Sequence, residues 1–145
     1  MDDLKGRYPV VLSQDLIWGD MDSYQHINNC IYFRYFEDVR MAYFDKTNIL
    51  KHKDKTHIGP ILASTKCDFR VPLTYPDTIQ IATIVGEIEP KRFNMQYVVY
   101  SESLKRVAAE GEGLIVYYDY QRERSCEIPE VILSAINRLQ LGFEY

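Results

Sequence analysis

Cysteine is scarce in this sequence of 145 residues, and the three that occur, Cys30, Cys67 and Cys126, are far apart with no CxxC pair. An odd and scattered set of this kind predicts free thiols in a reducing compartment rather than a disulfide framework. The N-terminus has no charged-then-apolar leader, and no run approaches the roughly 18 apolar residues of a membrane helix. We therefore expect a soluble, cytoplasmic protein that does not interact with membranes.

Basic residues are outnumbered by acidic ones, 17 to 21. The net charge is −4, which argues against a broad nucleic-acid-binding surface. The three histidines give no zinc signature, and the G-x-S-x-G, G-x-G-x-x-G and P-loop motifs are absent. We therefore expect no bound metal or cofactor. The length and the 46% hydrophobic content fit a single domain spanning residues 1–145 with a packed core.

The hydrophobic period changes along the chain. A helix is predicted for residues 28–46, where apolar side chains recur at spacings of three and four: Tyr32, Phe36, Val39 and Tyr43, with Phe33 and Tyr35 widening the stripe. Residues 47–59 are predicted to be a polar connector. Period-two patterns predict strands at residues 10–18, 61–71, 78–88, 92–101 and 106–120. A short terminal helix begins near Pro129, as its first residue.

Short turns between successive strands favour antiparallel pairing. The sequence therefore predicts an α+β domain in which a five-stranded antiparallel sheet wraps around one long helix. Gly111 and Gly113 lie two apart in the last strand and so share one face. They either let a helix or a backbone approach closely or mark a bulge, and the pattern does not decide between the two.

The stretch "WGDMDSYQHINNCIYFRYFEDVR", residues 18–40, has two interpretations. In the structural one, Asp22 or Ser23 begins a turn and Asn28 caps the helix. In the catalytic one, the helix N-terminus polarises a carbonyl while Asp20 or Asp22 attacks that carbonyl or activates water. A substrate for the catalytic arrangement would be an ester or a thioester.

The same stretch resembles the signature of hotdog-fold acyl-CoA thioesterases of the 4-hydroxybenzoyl-CoA thioesterase type. That signature is approximately D-x-D-x-x-G-H-V-N-N-x-x-Y-x-x-Y-F-E-x-A-R, and the chain matches it from Asp20 to Arg40. The resemblance implies a hotdog fold and hydrolysis of acyl-CoA to free acid and CoA. It assigns Asp22 as nucleophile or general base, His26 as a supporting residue, and the backbone near Asn29 as the group that polarises the carbonyl.

The resemblance also implies substrate contacts and a subunit arrangement. Tyr32 and Glu37 match helix positions beside the site, and the candidate partners for CoA phosphates are Arg70, Lys91 and Arg92. Proteins of this family pair through their sheet edges, which predicts a homodimer or homotetramer with sites between subunits.

Two positions depart from the family pattern, and Val39 in place of the usual alanine is the minor one. Gln25 stands where the family usually has glycine, and left-handed dihedrals there would cost a glutamine about 1 kcal/mol or more. Three alternatives stay open, and Gln25 favours the second of them. They are an acyl-carrier-protein thioesterase, a non-catalytic acyl-CoA-binding protein of the same fold, and a dehydratase in which His26 and Glu37 meet across the site.

Overall fold

A computed structural model describes residues 4–145 of the chain. The strands of this part are β1 (Val10–Asp15), β2 (Ile58–Phe69), β3 (Thr78–Ile88), β4 (Arg92–Ser101), β5 (Arg106–Asp119) and β6 (Arg124–Ser125). The helices are α1 (Leu4–Arg7), α2 (Asn29–Lys46), α3 (Ile49–Thr56) and α4 (Glu130–Gln140), and a 3-10 turn covers Trp18–Asp20.

The strands form one antiparallel sheet in the order β1-β3-β4-β5-β2, and the two-residue β6 pairs with the end of β5. Helix α2 packs against β1, β3 and β4 inside the curl of this sheet. The α+β hotdog architecture predicted from the sequence is confirmed, with β6 as an addition to the five expected strands. Strands β1 and β2 are the two edges, and most of β2 is exposed.

The apolar stripe of α2 is what holds the helix in the sheet. Tyr32, Phe36, Val39 and Tyr43 are each at most 2% exposed, as the spacing predicts. Phe33 is 39% exposed, so its predicted place in the buried stripe is wrong. It lies at the margin of the stripe, where the sheet no longer covers the helix.

Gly111 explains how closely the helix approaches the sheet. A Cβ atom there would lie 2.5 Å from the carbonyl oxygen of Lys66 and 2.6 Å from Cζ of Phe36. At Gly113 it would lie 2.8 Å from the hydroxyl of Tyr97. The register of the neighbouring ladders is regular at both glycines. Close approach is therefore the correct interpretation of Gly111, Gly113 makes room for a side chain of the neighbouring strand, and neither glycine marks a bulge.

Several predicted boundaries are wrong. Strand β1 ends at Asp15, and the 3-10 turn replaces the end of the strand predicted for residues 10–18. The predicted polar connector contains α3, which the fully buried Ile49 anchors to the core. Because most of α3 is polar, its sequence gives no helical stripe long enough to predict it.

The other differences are local. Strand β2 begins at Ile58, and a bulge between Leu62 and Ser64 interrupts the alternation predicted from residue 61. Pro129 is the N-cap of α4 and not its first helical residue. Helix α1 and strand β6 are too short to produce a periodic pattern. Among residues 4–145, no helix is long and apolar enough to cross a lipid bilayer.

Candidate active site

A tight hairpin precedes α2. Met21 and Ile27 form an antiparallel bridge, and the amide of Asp22 donates to the carbonyl of His26 at 2.9 Å. The amide of Gln25 donates back to the carbonyl of Asp22, also at 2.9 Å. The loop therefore has three residues, a common hairpin length in which the last loop residue takes left-handed dihedrals.

Gln25 is that last loop residue, and its φ is +63°. It adopts the conformation for which the family pattern uses glycine, so the loop keeps its shape at a cost of about 1–3 kcal/mol. Its carbonyl accepts a 3.3 Å hydrogen bond from Thr74 Oγ1, which ties the loop to the segment before β3.

The side chain of Asp22 is held by its own loop. Its Oδ1 accepts a hydrogen bond of 2.9 Å from the amide of Tyr24, an arrangement typical of aspartate at the first position of a turn. Among the described residues, Oδ2 has no hydrogen-bond partner. Asp22 is half-buried, so this oxygen belongs to a fixed carboxylate at the protein surface.

The N-terminus of α2 follows directly. Asn28 is the N-cap, and its Oδ1 accepts from the amide of Cys30 at 3.0 Å, while the amide of Ile31 donates to the Asn28 carbonyl. The capping interpretation is thus confirmed. Within the described part of the chain, the amide of Asn29 has no acceptor, and the first turn of a helix favours negative charge at such groups.

The segment of residues 70–77 forms the opposite wall. The amide of Ile27 donates to the carbonyl of Leu73 at 2.8 Å, which docks this segment against the hairpin. The amides of Arg70 and Val71 both donate to the carbonyl of Ala108 and fix the segment to the beginning of β5. The sequence predicted a strand as far as Val71 and a turn after it, with Arg70 as a candidate phosphate contact, and gave no sign that the turn docks against the hairpin.

Hairpin, helix and segment together enclose a cavity of about 400 Å³. Five of the eight predicted site residues line it: Asp22, His26, Asn29, Tyr32 and Arg70. Phe69 and Tyr24 line it as well, and neither was predicted. We name this space the Arg70 cavity, after the one lysine or arginine among the described residues that line it.

Tyr32 is a wall of this cavity and part of the core. Its ring meets the rings of Phe69 and Tyr35 edge-on, at centroid distances of 5.0 Å and 5.9 Å. Burial raises the pKa of Tyr32 to about 12, so its phenol stays neutral at physiological pH. It therefore contributes apolar surface and no negative charge.

Arg70 lies at the outer rim of the cavity. Its Nη2 is 3.1 Å from Oε2 of Glu110, and both side chains are 52% exposed. An exposed pair of this kind is worth little, so an incoming anion can compete for the guanidinium.

The remaining three predicted residues lie elsewhere in the chain. Glu37 is exposed, 4.0 Å from Nη2 of the buried Arg40, and about 12 Å along α2 from Asn29. Within one chain, His26 and Glu37 thus do not share a cavity. The geometry of a single chain therefore gives the dehydratase alternative no support.

Lys91 and Arg92 stand at the opposite end of the sheet. Arg92 pairs with Val116 in β5, whereas the amide of Arg70 binds Ala108, eight residues away along the same strand. That separation is about 26 Å. Arg92 also forms an ion pair with Glu89, with Nε 3.0 Å from Oε2.

A second cavity of about 600 Å³, unforeseen from the sequence, adjoins the hairpin. Its lining includes Trp18, Gly19, Gln25 and Tyr75, together with Asp22. Asp20 lines neither cavity, so of the two candidate acids only Asp22 is at the site. The residue that could have indicated this cavity from the sequence is Trp18. It went unnoticed because it was included in the strand predicted for residues 10–18.

Comparison with known proteins agrees with this geometry. The model of the Thioesterase-like superfamily matches residues 16–136, which include both cavities and strands β2 to β5. The chain belongs to the thioesterase-like superfamily. The resemblance of its signature stretch to hotdog thioesterases is therefore confirmed, and thioester hydrolysis is the general chemistry that this membership supports.

Individual relatives of this thioesterase-like chain are distant. The protein YsmA of Bacillus subtilis (strain 168) is 36% identical over 52 residues, which cover 36% of this chain and only 34% of YsmA. A thioesterase of Thermus thermophilus solved with coenzyme A and Zn is 22% identical with a TM-score of 0.81, over 92% of this chain and 95% of that one.

A third relative is the 1,4-dihydroxy-2-naphthoyl-CoA thioesterase of Synechocystis, 12% identical with a TM-score of 0.78, over 88% of this chain and 94% of that one. At these identities the two solved structures establish a shared fold. Within residues 4–145, no three His, Cys, Asp or Glu side chains cluster as metal ligands would.

Proposed function

We propose that this protein hydrolyses acyl-CoA thioesters to free acid and CoA. One observation carries the proposal: the Asp22 carboxylate and the N-terminus of α2 at Asn29 line the same cavity. A negative oxygen and a hydrogen-bond donor are the two groups that acyl transfer needs on either side of a carbonyl. Superfamily membership supports the thioester as the bond that is broken.

The amide of Asn29 is the group that would polarise the carbonyl. In the tetrahedral intermediate the carbonyl oxygen becomes an oxyanion, and a helix N-terminus stabilises negative charge. Removing one such donor typically costs about 10²–10³ in rate. The cap formed by Asn28 sets the start of the helix and with it the position of the Asn29 amide.

Asp22 acts in one of two ways. As a general base it removes a proton from water while the water oxygen bonds to the carbonyl carbon, and the C–S bond then breaks to release the CoA thiolate. As a nucleophile its oxygen bonds to the carbonyl carbon, the thiolate leaves, and water hydrolyses the resulting anhydride. The hydrogen bond from Tyr24 fixes the carboxylate for either route.

His26 has a supporting role in both routes. Its backbone carbonyl accepts the Asp22 amide and so holds the hairpin, and its side chain lines the Arg70 cavity. A ring nitrogen there is suited to orient water or the thioester.

The CoA phosphates need cations, and Arg70 is the nearest in the described part of the chain. Lys91 and Arg92 can join it only from a second copy. Exposed edge strand β2 suits antiparallel pairing with its own counterpart about a two-fold axis. Such pairing sets the beginning of one β2 beside the end of the other, and Arg92 of the partner subunit then approaches Arg70. The proposed enzyme is therefore a homodimer or a larger homo-oligomer.

The non-catalytic alternative depended on Gln25 distorting the loop. Gln25 takes the left-handed conformation and the hairpin hydrogen bonds are in place, so this argument no longer favours a mere binding protein. The carrier-protein alternative has no specific observation in its favour.

The test is thiol release from a panel of acyl-CoA and acyl-carrier-protein thioesters. We expect turnover of CoA esters, with acyl-carrier-protein esters slower. Binding of acyl-CoA without thiol release would contradict hydrolysis, and faster release from carrier-protein esters would reassign the substrate.

A further inference from the structure

Two cavities meet at Asp22. The Arg70 cavity lies on the side of the helix N-terminus, and the second lies on the side of the 3-10 turn that contains Trp18. Of the described residues, Asp22 alone lines both. A carbonyl carbon placed at Asp22 therefore has one solvent-accessible cavity on each side of it.

The two spaces differ in chemistry. The Arg70 cavity contains a guanidinium and the N-terminus of α2, which both favour an anionic ligand. The second space, the Trp18 cavity, has walls of indole, phenol ring and thioether from Trp18, Tyr75 and Met21. Among residues 4–145, no lysine or arginine lines it, and Asp22 is the only charged residue there.

The rings of the Trp18 cavity are open to solvent. Trp18 is 69% exposed and Tyr75 is 43% exposed. Large apolar rings beside a polar group are the usual lining of a small-molecule site, and about 600 Å³ lies within the roughly 300–1,000 Å³ that such sites occupy. An uncharged apolar group that enters this space would bury both rings.

We propose that the thioester lies across Asp22, with its acyl group in the Trp18 cavity and its phosphate-bearing thiol arm in the Arg70 cavity. This assignment rests on the proposed function, because a thioester has one substituent of each kind on its reacting carbon. Trp18, Tyr75 and Gly19 then determine which acyl groups are accepted. The acyl class is apolar and uncharged, either aromatic or a medium-length chain.

Gly19 offers a way to fill the Trp18 cavity without disturbing the fold. A Cβ atom built at Gly19 meets no heavy atom of the described residues within 4 Å. In Gly19→Leu we expect kcat/KM for octanoyl-CoA and benzoyl-CoA to fall at least about tenfold, while acetyl-CoA stays within about threefold. Val131→Ala, an exposed change on α4, should leave the whole panel unchanged.

The chain supplies its own reporter for the same question. Trp18 is the only tryptophan, so intrinsic tryptophan fluorescence monitors this cavity alone. Asp22→Asn should bind thioesters without hydrolysing them, since an asparagine Oδ1 can still accept from Tyr24. Octanoyl-CoA added to this variant should shift the Trp18 emission, whereas CoA at saturation should not.

The outcomes separate the two proposals. If Gly19→Leu lowers kcat/KM equally for every acyl length, the cavity assignment is overturned and hydrolysis stays intact. The same holds if CoA alone shifts the Trp18 emission as much as octanoyl-CoA does. A change of subunit number in Gly19→Leu with loss of all activity would also overturn it, making the Trp18 surface a subunit contact. A wild-type protein that neither binds nor cleaves any thioester would overturn both.

Discussion

The backbone amide of Tyr24 lies 2.9 Å from Oδ1 of Asp22 and donates a hydrogen bond to it. The carboxylate is thus oriented by the turn that it begins, before any substrate binds. Oδ1 accepts a hydrogen bond within the loop, and Oδ2 has no hydrogen-bond partner among the described residues. A single aspartate therefore accounts for both interpretations of its sequence stretch, as a turn residue in the structure and as a catalytic group in our proposal.

The left-handed Gln25 should respond to substitution in opposite directions. Gln25→Gly removes the backbone strain and should match or exceed the wild-type stability, by up to about 1 kcal/mol. Gln25→Val places a β-branched residue at φ +63° and should destabilise the protein by about 1–3 kcal/mol. Urea unfolding of the two variants checks this, and equal stabilities for both would contradict a left-handed Gln25.

The N-cap should matter for stability and for rate. Asn28→Ala removes the acceptor of the Cys30 amide and should cost about 0.5–2 kcal/mol of unfolding free energy. Because the cap sets the first turn of α2, we also expect kcat to fall. Asn28→Asp keeps the acceptor and is the matched control. If Asn28→Ala has the same free energy of unfolding as wild type, the capping hydrogen bond contributes nothing to stability.

Gly111 should tolerate no side chain. Gly111→Ala pushes a methyl group into the ring of Phe36 and the carbonyl of Lys66, and overpacking of this kind costs about 1–3 kcal/mol. Gly19→Ala, where the new atom meets no described residue within 4 Å, should lie close to wild type. Thermal unfolding of this pair measures the difference in melting temperature. Equal melting temperatures would mean that Phe36 of α2 is not in close contact with Gly111.

The elements that the sequence predicted well are those with one dominant signal. The four-residue stripe of α2 requires burial on one side, and Gly111 of β5 makes room for Phe36 of that stripe. The ordered motif around Asp22 placed four candidates in one cavity, because they belong to one hairpin and the helix that follows it. Arg70, predicted separately as a phosphate contact, joins them from the end of the strand that docks there.

The features that the sequence did not predict depend on contacts between residues far apart in the chain. Helix α3 is polar after Ile49 and Leu50, and only the contact of Ile49 with the core explains why it forms. The 3-10 turn at Trp18 was hidden because an apolar residue after a strand continues its pattern. Lys91 and Arg92 are adjacent in sequence, and no local signal reveals that they lie at the end of the sheet opposite Arg70.

Those two cations give a test of the subunit arrangement. If they reach the CoA phosphates across a β2–β2 edge, the double variant Lys91→Ala with Arg92→Ala should raise KM for acyl-CoA at least about tenfold, since a charged hydrogen bond is worth about 1.5–3 kcal/mol. N-acetylcysteamine thioesters, which have no phosphates, should be unaffected.

Arg138→Ala, another exposed cation at the surface, is the control for a general charge effect. A KM that does not change in the double variant would contradict the proposed phosphate contact. A KM raised for both substrates would instead indicate a change in the site as a whole.

The most direct test of the account is the rate of thiol release by Asp22→Asn beside wild type and Asp20→Asn, on whichever acyl-CoA wild type cleaves fastest. Asparagine keeps the hydrogen bond from Tyr24 but provides neither a nucleophile nor a base. We expect Asp22→Asn to lose at least about 10² in kcat with an unchanged melting temperature, and Asp20→Asn to retain most of its activity. Asp22→Asn turning over at the wild-type rate would contradict the account.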